Sequence, residues 1–214
     1  MGEPRVDRRH DDGYTLIELT ISMFVFSILA AVVLTSLIGL SRATSDAQAR
    51  STSASGIVSV TQNLDRQVRY ADSINLPGAG TAGRRYIEFR TPASSTVDNL
   101  AQCTQWRFLP AEGRIESRTW REGTAPTASW STRMTEVVNR AVTTYPFQMV
   151  PANPSGSLVQ RLRITIEAGS ARTGSESSLA FVARNSSVLS PSNIDANADG
   201  RSDSPVCNPT GYRP

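Results

Sequence analysis

Lysine is absent from this 214-residue chain, and histidine and cysteine nearly so. All 22 basic residues are arginine, the single histidine is His10, and the cysteines are Cys103 and Cys207. Residues 11–214 therefore exclude Ser-His-Asp and Cys-His nucleophile pairs and histidine metal sites, and the missing lysine excludes Schiff-base chemistry. Hydrolysis by carboxylates alone stays open. Its candidates are Glu112 with Glu116 and Asp195 with Asp199, each of which also reads as an ordinary turn or surface pair. Charged residues are sparse, at 19%, and the net charge is +3. The arginines are scattered and do not interleave with aromatics, so the basic balance marks no nucleic-acid surface.

Against this sparse background stands one long apolar run. Residues 19–40, LTISMFVFSILAAVVLTSLIGL, carry no charge. As a helix they span about 33 Å, the hydrocarbon thickness of a bilayer. A buried core helix would be shorter and apolar on one side. A secretory signal peptide would have a shorter run, followed by a small-residue cleavage site. Here SRATSDAQARS follows, which reads as more helix. Just ahead of the run lies GYTLIELT, residues 13–20, with a glutamate, Glu18, where the membrane segment begins.

Gly13-Tyr14-Thr15-Leu16-Ile17-Glu18, followed by the apolar run, resembles the prepilin signature of type IV pilins and their pseudopilin relatives. The resemblance implies that prepilin peptidase cuts after Gly13, removing residues 1–13, and methylates the new N-terminus at Tyr14. It implies that Glu18, fifth in the processed chain, faces the N-terminal amine of a neighbouring subunit in the filament core. Phenylalanine is the commoner residue at the place of Tyr14. The leader also departs from pattern: Asp11 and Asp12 precede the glycine, and Arg5, Arg8 and Arg9 stand against four acids. The positive-inside signal is weak as a result, and orientation rests on the motif. The competing account of Glu18 is a side chain that snorkels to the interface from the first helical turn.

Beyond the membrane, residues 41–55 are rich in serine, threonine and alanine. Ile57, Val60, Leu64, Val68 and Ala71 then recur at spacings of three and four, the mark of one buried helix face. A single helix from Thr15 to Ser73 would be roughly 88 Å long, with Gly39 and Gly56 as its weak points. After PGAGTAG (77–83) the pattern turns to short strands. RRYIEFRT points Ile87 and Phe89 inward. CTQWRFLPAEGRIESRTW reads as a hairpin with Trp106, Phe108 and Ile115 inside and a turn at 110–113. Val137, Val138, Tyr145 and Phe147 mark one or two strands within 132–149. Leu158, Leu162, Ile164 and Ile166 mark another, and Leu179, Phe181 and Ala183 the last. The expected fold is α+β: a long helix packed on an antiparallel sheet of five to seven strands. It divides into a cleaved leader (1–13), a transmembrane or filament-core helix (14–41), its amphipathic continuation (42–75), a sheet domain (76–190) and a tail (191–214). LDRQVRYADSI, WRFLPAEGRIESR and FVARN further resemble the larger minor pilins of the PilW type and the J-type pseudopilin of type II secretion.

The membrane segment places the following residues outside the cytoplasm, where two distant cysteines suit one disulfide, Cys103 to Cys207. Two separate buried thiols are the alternative. Closing a loop of roughly 100 residues is worth about 4–5 kcal/mol. Near the second cysteine, DANADGRSD (195–203) places Asp195, Asn197, Asp199, Arg201 and Asp203 at EF-hand-like spacing for calcium, with Gly200 at the turn. The twelfth place, normally glutamate, is Val206, and prolines flank the segment. A solvated Asp/Asn turn explains the same residues.

These residues lead to a non-enzymatic minor pilin or pseudopilin, structural in role, with no cofactor beyond the candidate calcium. Its expected partners are other pilin subunits, prepilin peptidase, the membrane assembly platform and the lipid bilayer. The expected location is a single-pass inner membrane anchor with an extracytoplasmic domain, later built into a filament. A membrane-tethered module that binds a ligand or calcium is the alternative; it predicts no cut after Gly13.

Overall fold

The computed structural model describes residues 15–139, 146–169, 175–208 and 213. Helix α1 runs over Leu16–Arg69 and contributes to both compact units of the chain, Met1–Ala47 and Gln48–Pro214.

In the first unit the helix shows its apolar side chains to its surroundings: Leu16, Phe24, Phe26 and Val32 are all exposed. Several hydroxyls in this run bond back within the helix. Ser27 donates to Met23 O, Thr35 to Ala31 O and Ser36 to Val32 O at 2.7–2.9 Å. Polar groups bonded back to their own backbone carry a smaller penalty in hydrocarbon than free ones. Gly39 leaves α1 unbroken.

The second unit is built around the stripe that the spacing predicts. Val60, Leu64, Val68 and Ala71 are fully buried, with Ile57 packed beside them. Nine strands follow: β1 (Ser73–Ile74), β2 (Gly78–Ala79), β3 (Arg85–Thr91), β4 (Gln102–Leu109), β5 (Arg114–Arg121), β6 (Ser131–Met134), β7 (Phe147–Val150), β8 (Arg161–Ala168) and β9 (Ser175–Val182). Every pairing is antiparallel. The large sheet has the order β1-β3-β4-β5-β6, with β2 also on β3; the small sheet has the order β7-β8-β9. Ile87, Phe89, Trp106, Phe108 and Ile115 from the large sheet join Leu162, Ile164 and Ile166 from the small one in a single cluster with the helix stripe. Trp106 sits in this core and donates its indole N–H to Gln67 on α1, at 2.9 Å.

Three sequence expectations change. The strands form two sheets in place of one, because Pro146, Pro151 and Pro154 interrupt the chain around β7 and cannot donate to a continuous ladder. The helix stops at Arg69, four residues before Ser73. Ser73 and Ile74 pair with Arg90 and Phe89 instead, and the freed carbonyls at the helix end find partners elsewhere. Arg184 N donates to Arg69 O at 3.1 Å and Asn185 Nδ2 to Tyr70 O at 2.9 Å, so the segment after β9 caps the helix. Leu158 stands outside β8 and is exposed, because Gln160 leaves the surface to bond Ile74 N at 2.7 Å. Tyr145 lies outside the described residues. The hairpin turn falls where expected, with Gly113 at φ +58 and an added Cβ only 3.0 Å from Val137 O.

Leu64 is fully enclosed by the stripe and both sheets. Leu64→Ala is expected to cost about 2–5 kcal/mol, read as a lower midpoint for loss of the near-ultraviolet circular dichroism signal in denaturant. An unchanged midpoint would show that the stripe does not carry the fold.

Candidate functional site

Thr15 and Glu18 close the start of α1 on each other. Glu18 N donates to Thr15 Oγ1, while Thr15 N and Thr15 Oγ1 both donate to Glu18 Oε2, each at 3.3 Å. This reciprocal arrangement is a capping box: the threonine caps the helix and the glutamate three residues on returns to the cap. The pattern T-x-x-E was present in TLIE, and it is the signal that an account of Glu18 by membrane cost alone passes over. The carboxylate also lies at the positive end of the helix dipole. Gly13 and Tyr14 lie outside the described residues. From Thr15 to Ser41, Glu18 is the single ionisable side chain, on a helix long and apolar enough to cross a membrane.

The far end of the chain is held to the large sheet. Cys103, second residue of β4, is disulfide-bonded to Cys207 across 104 residues, with a Cα–Cα distance of 5.5 Å. Asn75 clamps the residue beside it: Val206 N donates to Asn75 Oδ1 at 2.9 Å, and Asn75 Nδ2 donates to Val206 O at 2.7 Å. Ser192 Oγ donates to Ile74 O, and Ser190 Oγ to Asp72 O. Arg213 reaches Glu88, a fully buried carboxylate in β3.

That carboxylate belongs to the face of the sheet turned away from α1. Gln105 Nε2 donates to Glu88 Oε1 at 2.9 Å, and Arg118 Nε donates to Gln105 Oε1 at 2.8 Å. Arg107 and Arg118 stack over the Trp130 ring, at 3.9 and 4.3 Å from its centroid. Burial, and then the neighbouring Arg107 charge, lower the pKa of Arg118. The acidic pair considered for hydrolysis is taken up by arginines: Glu116 accepts from Arg107 at 2.7 and 2.9 Å, and Glu112 pairs with Arg114.

The loop at 195–203 is closed by its own aspartates. Asp195 accepts from Asp199 N at 3.1 Å and Gly200 N at 3.0 Å, Asp199 Oδ1 from Arg201 N at 2.8 Å, and Asp203 Oδ2 from Ala196 N at 2.9 Å. Gly200 adopts φ +78. These are Asx-type turns. Among the described residues, the acidic and thiol ligand atoms gathered within 4.8 Å of one another are those of Cys103, Glu122 and Cys207; the three aspartates do not converge in this way. Asn197 Oδ1 accepts from Asp199 N at 3.2 Å.

Residues 8–34 match the family model described as the prokaryotic N-terminal methylation motif. The match spans Gly13, Tyr14 and Glu18. No curated protein and no solved structure matches the chain.

Two local outcomes follow from this geometry. Thr15→Ala should speed amide hydrogen exchange at Glu18, whose N–H bonds the Thr15 hydroxyl, while leaving residues beyond the first turns unchanged. Asp195→Ala should do the same at Asp199 and Gly200. Protection unchanged in either variant would remove the corresponding cap.

Proposed function

We propose that this protein is a minor pilin or pseudopilin, a structural subunit of a type IV pilus or of a type II secretion-like filament. The observation that carries the reading is the methylation motif over residues 8–34 leading into an exposed apolar stretch of helix in which, from Thr15 to Ser41, the one charge is Glu18. On this reading prepilin peptidase cuts after Gly13 and methylates Tyr14. The apolar half of α1 anchors the chain in the inner membrane with residues 48–214 outside the cytoplasm, until the assembly platform moves the subunit into a filament.

Glu18 then has two successive partners. A carboxylate at bilayer depth costs about 2.5–3.5 kcal/mol on insertion scales. In the single subunit the Thr15 cap satisfies part of its hydrogen-bonding capacity. In the filament the methylated amine of a neighbouring subunit supplies an opposite charge, which offsets more of the desolvation than a neutral hydroxyl can. The carboxylate is thus tolerated in the membrane and better satisfied in the assembly, which favours assembly and sets the register between subunits. The sheet domain has a structural role on this reading, and the resemblance to the larger PilW-type minor pilins and the J-type pseudopilin supports a minor subunit over a major one.

The test is the N-terminus and intact mass of the protein from its own cells. A chain that begins at methylated Tyr14 supports the reading; one that retains residues 1–13 overturns it. Glu18→Ala is expected to stay in the membrane and to fall out of sheared filament fractions. Normal incorporation of that variant would sink the pairing.

A further inference from the structure

Glu122 is the residue that neither the core nor the N-terminal segment accounts for. It follows β5 directly, its side chain is 36% exposed, and a carboxylate oxygen lies within 4.8 Å of both disulfide sulfurs. Among the described residues its ion pair with Arg90 is long, at 3.4 Å, whereas Arg90 holds Asp72 with two bonds of 2.9 and 3.0 Å. Arg90 is thus already committed elsewhere, and Glu122 is held loosely. The group faces an open cleft of about 660 Å³ lined by Trp120, Thr124, Pro205 and Asn208, which gives solvent and ions a path to the sulfurs.

We infer that the reduced form of the Cys103–Cys207 pair, together with Glu122, is a binding site for a thiophilic divalent cation of the zinc type, which latches the tail to the sheet when the disulfide is absent. The argument rests on what holds the cysteines. Cys103 is fixed by strand pairing on both sides, opposite Arg90 and Trp120. Cys207 follows Val206, whose N–H and C=O are both bonded by Asn75. Neither anchor involves the S–S bond, so both thiols stay close after reduction. Cα atoms 5.5 Å apart suit two thiolates at one metal, since Zn–S bonds of about 2.3 Å let the sulfurs separate without moving the backbone. Two thiolates, a carboxylate and one water from the cleft complete a four-coordinate set of the soft-plus-borderline kind that zinc accepts. The set carries three negative charges against the cation's two, and Arg90, already paired with Asp72, offsets only part of the remainder.

The chemistry balances with an external thiol. Two equivalents of a monothiol reduce the bond: the protein disulfide takes up two electrons and two protons to give two thiols, and the reductant leaves as its own disulfide. The cation then displaces both thiol protons into solvent as it binds. The inference does not depend on the filament reading, because it concerns residues 75–207 alone.

The experiment uses the full chain in detergent micelles, reduced, freed of reductant and titrated with cobalt(II) under anaerobic conditions. One equivalent should bind with a thiolate-to-cobalt charge-transfer band, and zinc(II) should displace it. The oxidised protein and Cys207→Ser should give no such band. Outer-shell partners alone are worth about 10–100-fold in metal affinity, so Glu122→Gln, which leaves both thiols intact, should weaken binding by at least roughly tenfold. Hydrogen exchange at Val206 should slow again when zinc is added to the reduced chain. No band in the reduced protein overturns the site, and so does a band of undiminished affinity in Glu122→Gln. Reduction that unfolds the tail beyond rescue by zinc overturns it too, whatever the N-terminus of the protein proves to be.

Discussion

The stripe Val60–Leu64–Val68 on α1 is the surface that the rest of residues 48–214 depends on. It is fully buried and shares one apolar cluster with strands from both sheets. A small sheet is stable only when one apolar face is covered, by further strands or by a helix. The small sheet of β7, β8 and β9 therefore needs the common core, where Leu162, Ile164 and Ile166 meet the same helix residues as Ile87 and Trp106. The capping of the helix end by Arg184 and Asn185 ties the last strand back to the same element.

The reverse face of the large sheet follows a different logic. Glu88 and Gln105 are fully buried there, and Arg118 nearly so. Buried charges are tolerated only when paired and hydrogen-bonded. Gln105 bridges Glu88 and Arg118, Arg107 takes Glu116, and Arg213 comes from the tail to complete Glu88. The disulfide and the Asn75 clamp bring the tail to this face. The tail is thus a working part of the domain: it supplies the cover, and one of the counter-charges, that an exposed polar sheet face would not need.

The helix changes role along its length because its surroundings change. Up to Leu40 its apolar residues are exposed in the isolated chain and several of its hydroxyls bond inward. From Ser53 onwards it buries one stripe. Glu18 marks the start of the first part, and its capping box with Thr15 gives the carboxylate a place within the single chain. That place and a pairing with a neighbouring amine are compatible, since a carboxylate has lone pairs for several donors.

Much of this was readable from residue order. An uncharged run of bilayer length, a glutamate at its head, a stripe at spacings of three and four, and alternation in RRYIEFRT and WRFL all act locally, through periods of 3.6 and 2 that need no knowledge of the partner. They determined the helix, most of the strands and the α+β class. What only the tertiary structure decided is non-local. Alternation says which residues share a face, and leaves open that Glu88 and Arg118 lie beneath a tail about 100 residues downstream. Proline positions interrupt strands without saying that two sheets will share one helix. The end of α1 at Arg69 is a competition between one more helical turn and pairing with β3, and Ser73 and Ile74 take the strand, opposite Arg90 and Phe89. Glu122 beside the disulfide is likewise a matter of assembly: three residues far apart in sequence meet only when β4, the end of β5 and the tail have packed.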